Sequence, residues 1–119
     1  MESILTSIKK MLGITEECTD FDPDIVMAIN TTFVILNQIG VGPDEIFYIE
    51  DSIAIWDDFI DDDDKLCNLV KSYMYLKVKS LFDPQANATV TNSMEGLIKE
   101  FEWRLNVAVD PKKKKVGRR

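Results

Sequence analysis

The longest stretch that is both apolar and free of glycine and proline is residues 64–83, DKLCNLVKSYMYLKVKSLFD. Leu66, Leu69, Val70, Tyr73, Leu76 (or Lys77) and Leu81 recur at i, i+3, i+4 and i+7, the spacing of one helix face. Met74, Tyr75, Val78 and Phe82 widen that face, which predicts cover on more than one side. The pattern makes this the central helix, closed by Asp83-Pro84, with the other elements packed around it.

Before it, Ile4, Leu5, Ile8, Met11 and Leu12 form one stripe and predict a short helix over 3–12. Ser3 suits its N-cap, Lys9 and Lys10 suit its C-terminal turn, and Gly13 suits its stop. After a polar connection, Phe21-Asp22-Pro23-Asp24 reads as a helix start, with Asp22 capping and Pro23 at the first helical position. Phe21 and Val26 stand at the spacing of a hydrophobic staple. Ile25, Val26, Ile29, Phe33 and Leu36 carry this second helix to about Gln38, and Gly40-Val41-Gly42-Pro43 ends it.

Residues 44–63 allow two readings. Either Ile46–Ile49 is a short extended segment and Asp51 caps a helix carrying Ile53, Trp56, Phe59 and Ile60. Or Ile46–Ile49 pairs with Ile53–Trp56 as a small hairpin. Both put Trp56 and Phe59 against the central helix. The last helix is predicted over roughly 88–108, with Asn87 or Thr89 as cap. Its stripe is Val90, Met94, Leu97, Ile98, Phe101, Leu105 and Ala108. Trp103 lies about 200° from Phe101 around that helix, off the stripe. The fold class is therefore all-α. A small bundle of about four helices has a longer linker between the second and third main helices and a flexible basic C-terminal tail.

Length and charge refine this picture. A chain of 119 residues suits one domain. Its helical domain is expected over 1–109, with a basic arm over 110–119. Residues 1–110 carry eight basic and 21 acidic side chains, a net −13, while PKKKKVGRR at 111–119 carries six basic ones. The body should repel nucleic acid, and the tail alone should attract phosphate or an acidic surface. No apolar run reaches the roughly 18 residues of a membrane span. MESILTSIKKMLG is too polar and periodic for a signal peptide, so the chain is expected to be made in a cytoplasm, without a membrane partner.

The candidate chemistry is sparse. With no histidine, Ser-His and Cys-His nucleophiles are excluded within the chain. Cys18 and Cys67 stand at unrelated positions and read as free thiols, not zinc ligands. Asp57, Asp58, Asp61, Asp62, Asp63 and Asp64 offer oxygens to Ca²⁺ or Mg²⁺, but lack the spacing of an EF-hand loop and read as a solvated helix entry. No phosphate-binding or nucleophile motif is present. The expected chain is not an enzyme and takes no cofactor or metal. Trp103 and Tyr75 are the aromatic interface candidates.

The order of LNQIGVG (36–42), W-x-D-F (56–59), Y-x-Y-L-K-V-K-x-L-F-D-P (73–84) and E-W-R-L-N (102–106) resembles the small head-tail connector (adaptor, or head-completion) proteins of tailed bacteriophages. The resemblance covers residues 1 to about 109. It implies a four-helix adaptor whose ring of about twelve copies, a dodecamer, sits under the portal protein at the capsid vertex. Such a ring prolongs the channel for double-stranded DNA without binding it specifically, and docks the tail or a stopper protein. The implied location is the virion head-tail interface, after synthesis in the host bacterial cytoplasm. Carried over, the portal-contacting arm is Val109, Asp110, Pro111, Lys112, Lys113, Lys114, Lys115, Arg118 and Arg119. A closed ring needs two different adhesive faces, and Phe47-Tyr48 and Trp103 are the candidates. The competing readings are an acidic DNA mimic that inhibits a DNA-binding protein and a small metal-dependent hydrolase on the aspartate cluster.

Overall fold

A computed structural model describes residues 3–60, 65–82 and 88–116. Its elements are α1 (Ile4–Leu12), α2 (Asp22–Ile39), the single turn α3 (Trp56–Phe59), α4 (Lys65–Phe82) and α5 (Ala88–Val116). Among the described residues there is no strand, only an isolated antiparallel bridge between Ser3 and Ile55. The fold is a small all-α bundle. α4 is its centre, touching α5, α2 and α1, and α2 also packs on α1 and α5.

α1 forms as its sequence dictates. Ser3 Oγ accepts from the Thr6 N–H at 2.9 Å, and Gly13 closes the helix in the left-handed region at φ 81°. Ile4, Leu5 and Ile8 are buried. Lys9 departs from expectation. Its ammonium turns inward, donating to the carbonyls of Cys18 (2.8 Å) and Glu16 (3.2 Å) and pairing with Asp22 Oδ1 at 2.8 Å. The ammonium thus has two hydrogen-bonded carbonyls and one carboxylate oxygen around it. Asp22 consequently does not cap α2. No side chain does, and Asp22 Oδ1 has the Lys9 charge as its compensation. The half-exposed Phe21 ring meets Phe82 edge-on at 5.6 Å between centroids.

Ile25, Ala28, Ile29, Phe33 and Leu36 bury one face of α2. Gly40 caps it at φ 101°. Two residues on, Gly42 sits at φ 89°, and a Cβ there would lie 2.6 Å from Phe59 Cζ. Phe59 is wedged against Phe33 (4.7 Å) and Phe47 (5.4 Å), so the LNQIGVG and W-x-D-F motifs meet in one aromatic cluster.

Residues 44–55 form neither the hairpin nor a helix capped by Asp51. Asp51 accepts from the Ile53 N–H at 2.9 Å in a local turn, and Ile53, expected on a buried helix face, is 81% exposed. Helix is confined to the WDDF turn. Asp58 Oδ2 accepts from the Ile55 N–H (3.0 Å) at its start. Trp56 is buried. Its Nε1 donates to Ser7 Oγ of α1 at 2.9 Å, and the Lys71 ammonium of α4 lies 5.7 Å from its ring centre. Phe59 is buried as well, chiefly against α2 and the linker.

The phase of α4 is rotated from the leucine pattern. Cys67, Val70, Tyr73, Met74 and Val78 are fully buried, whereas Leu66, Leu69 and Leu76 flank the core and Leu81 is exposed. On a helix covered from several sides, where nearly every position is apolar, periodicity does not rank which positions lie deepest. Tyr73 joins α4 to α5 by donating to Glu102 Oε2 at 2.8 Å. Burial, then the hydrogen bond and charge of Glu102, push the Tyr73 phenol far above its ordinary value. A phenol raised in the folded state contributes stability that is complete below the unfolded value of about 10 and falls as pH rises beyond it. We expect Tyr73→Phe to cost about 2 kcal/mol in urea denaturation at neutral pH. The variant should also lose less stability than the parent between about pH 10 and 11.

α5 buries Ile98, Leu105 and Val109, with Met94 and Phe101 partly covered. Leu97 and Ala108, expected on the stripe, are exposed. The helix does not end near residue 108 but continues to Val116. Pro111 has no N–H for the Val107 carbonyl, yet Val109 anchors the helix and the lysines that follow favour it in propensity and at its negative end. The basic segment is thus helical in backbone through Val116 rather than irregular chain.

Candidate assembly surfaces

No group of acidic or thiol side chains among the described residues is placed to hold a metal ion. Asp57 and Asp58 are exposed, and Asp61–Asp64 lie outside the described residues. Cys18 and Cys67 are free thiols. No described helix is long and apolar enough to cross a membrane. The features that call for a function are exposed apolar surfaces, of which three stand out among the described residues.

The first is on α5. Trp103 is 66% exposed, off the buried stripe as its position predicts, and Val107 is exposed one turn on. Trp103, Glu102 and Asn106 face Ile35, Gln38 and Ile39 of α2 across a shallow cavity of about 330 Å³. Arg104 pairs with Glu100 at 3.1 Å beside it.

The second is the linker. Tyr48 is 63% exposed, with Ile46 and Ile53 also exposed. Phe47, expected to be adhesive alongside Tyr48, instead turns inward, its ring 5.0 Å from that of Phe33. An alternating segment has one inner and one outer face, and Phe47 takes the inner one.

The third went unread in the sequence. Phe21, Met27, Ala28, Leu81 and Phe82, with Asp24 and Thr31, line a groove of about 610 Å³ between the start of α2 and the end of α4. Met27, off the predicted stripe of α2, was the available signal; Leu81, expected on the stripe of α4, is exposed instead.

The remaining candidates are dispersed. Tyr75 is half-buried with the Lys79 ammonium 5.8 Å from its ring centre. Val109, placed in the arm by the resemblance, belongs to the core at 3% exposure because it lies one turn beyond Leu105 on the buried face of α5. Asp110, Pro111 and Lys112–Lys115 fall within the helical backbone of α5; Arg118 and Arg119 lie outside the described residues.

The sequence profile of the phage connector protein family matches residues 4–112, from the first residue of α1 into the basic segment. The chain belongs to that family. No curated protein and no solved structure matches it. Its role is that of a phage connector, a structural component of the virion. For a connector the relevant chemistry is adhesion, and its exposed apolar surfaces lie on α5, on the linker and between α2 and α4.

Proposed function

We propose that this connector assembles as a head-to-tail ring of about twelve copies on the portal protein, prolongs the DNA channel, and offers the tail or stopper protein a docking surface. The observation that carries the reading is the family match across nearly the whole chain, joined to two unlike exposed surfaces, the Trp103 face and the Tyr48 linker. A heterologous ring needs such unlike surfaces, since each subunit presents one to either neighbour. The acidic body suits a channel wall, because DNA finds little phosphate-binding charge there.

In this reading the basic segment 112–119 reaches the portal, and Val109 fixes the root of the arm in the core. Removing residues 112–119 should leave the urea midpoint unchanged and weaken binding to purified portal at least about tenfold at low salt. Undiminished binding by the shortened chain would sink the assignment of the arm.

A further inference from the structure

The linker carries a second reading, independent of where the arm docks. Residues 46–50 run exposed, half-buried, exposed, buried, exposed, the two-residue alternation of an extended chain. Phe47 and Ile49 point inward and anchor it. Asn30 of α2 then acts as a neighbouring strand would. Its Nδ2 donates to the Ile49 carbonyl at 2.9 Å, and its Oδ1 accepts from the Ile49 N–H at 2.8 Å. One helical turn pair further, Asn37 Nδ2 donates to the carbonyls of Asp44 (3.1 Å) and Pro43 (3.3 Å). Two asparagines of α2 therefore hold an extended segment in place from one side.

In an extended chain the backbone groups of successive residues face opposite edges. With Ile49 turned to Asn30, the N–H and carbonyl of Tyr48 face the other way. Among the described residues, the backbone groups of Ile46, Phe47 and Tyr48 make no hydrogen bond. The open edge is already ordered, so a partner that adds a strand avoids that entropic cost. Its outer side chains, Ile46 and Tyr48, are apolar, and Asp44, Glu45, Glu50 and Asp51 flank it, all exposed. No basic side chain lies within 44–51. Nucleic acid and anionic membranes are repelled by such a rim.

We propose that residues 44–51 are a docking edge for an extended segment of a partner protein, with apolar residues at alternate positions and a basic residue at each end. The segment pairs its backbone with Tyr48, lays its apolar side chains beside Ile46 and Tyr48, and sets its basic ends against the two acidic pairs.

The test is an amide titration of the full ¹⁵N-labelled chain with the peptide Lys-Val-Thr-Val-Thr-Val-Lys at about 50 mM salt, where surface charge is weakly screened. The expected result is saturable shifts at 44–51, with exchange of the Tyr48 amide slowed at least about tenfold while that of Ile49, bonded already, stays the same. Tyr48→Pro, which removes the outward N–H, and the pair Glu45→Lys with Glu50→Lys should each weaken binding at least about tenfold, whereas Tyr48→Phe should bind like the parent. The same peptide with a central proline serves as a control that needs no change in the protein. Absence of saturable shifts up to about 2 mM peptide, or equal binding of the proline peptide, overturns the proposal. Binding of PKKKKVGRR alone also overturns it, assigning the edge to the tail of a second copy. None of these outcomes bears on portal binding by the arm.

Discussion

Replacing Gly42 by alanine is expected to be among the most damaging single changes in this chain. Two costs coincide there. An L-residue at φ 89° pays about 1 kcal/mol for its left-handed backbone. The added methyl also meets the Phe59 ring, which cannot swing aside freely because Phe33 and Phe47 hold it. Overpacking of this kind costs about 2 kcal/mol more. The sum, about 3 kcal/mol, should lower the thermal midpoint by roughly 10 °C. Adding Phe59→Leu should restore part of the loss, so the double variant is more stable than the sum of its parts predicts. Strict additivity in urea denaturation would mean that Gly42 and Phe59 do not share this contact.

Lys9→Met is the second large effect. The change preserves most of the apolar stem but strands Asp22 Oδ1 and two carbonyls around an ammonium that is 4% exposed. Breaking one side of a buried pair costs about 3 kcal/mol. Asp22→Asn, which keeps a polar group in place, should cost only about 1 kcal/mol. Because the ammonium and the Asp22 oxygen it meets are covered, raising salt to about 0.5 M should leave most of the difference between parent and Lys9→Met in place. A loss below about 1 kcal/mol, or one that vanishes in salt, would reduce Lys9 to an ordinary surface lysine.

These two positions also mark where the sequence stops being legible. The helices themselves were readable, because stripes such as Ile4/Ile8 and Ile29/Phe33/Leu36 follow the helical period and Ser3, Gly13 and Gly40 punctuate them. Lys9 was not, since a lysine in a last turn satisfies the helix dipole equally well while exposed. Its burial depends on carbonyls that the connection to α2 brings back over α1. The leucines of α4 misstated its phase because several neighbours cover that helix, and periodicity cannot rank positions that are all apolar. The long linker was opaque for a related reason. Its order comes from Asn30, Asn37 and the Phe33 ring, none of them local to it. Pro111 and the lysine run suggested an end to α5 near residue 108, whereas the helix carries Val109, one turn beyond Leu105, into the core and continues to Val116.

Of the candidate surfaces, Trp103 was legible as a large aromatic off a regular stripe, whereas Phe47 and Tyr48 stand together in the sequence as one adhesive face and only the structure separates an inner Phe47 from an outer Tyr48. The Phe21–Met27–Leu81 groove was not, because it arises where the ends of two helices distant in sequence lie side by side. The family resemblance came from the order of four motifs, and the structure gives two of them a joint physical meaning in the Gly42–Phe59 contact.

The most direct test of the connector account is capture of partners from cells producing the phage particle. The chain carries its tag at the N-terminus, so that the basic arm stays free, and retained proteins are identified by mass spectrometry. The account predicts portal and tail-completion proteins together in the eluate, with the portal lost when residues 112–119 are removed. A host DNA-binding enzyme retained without any capsid component would contradict it.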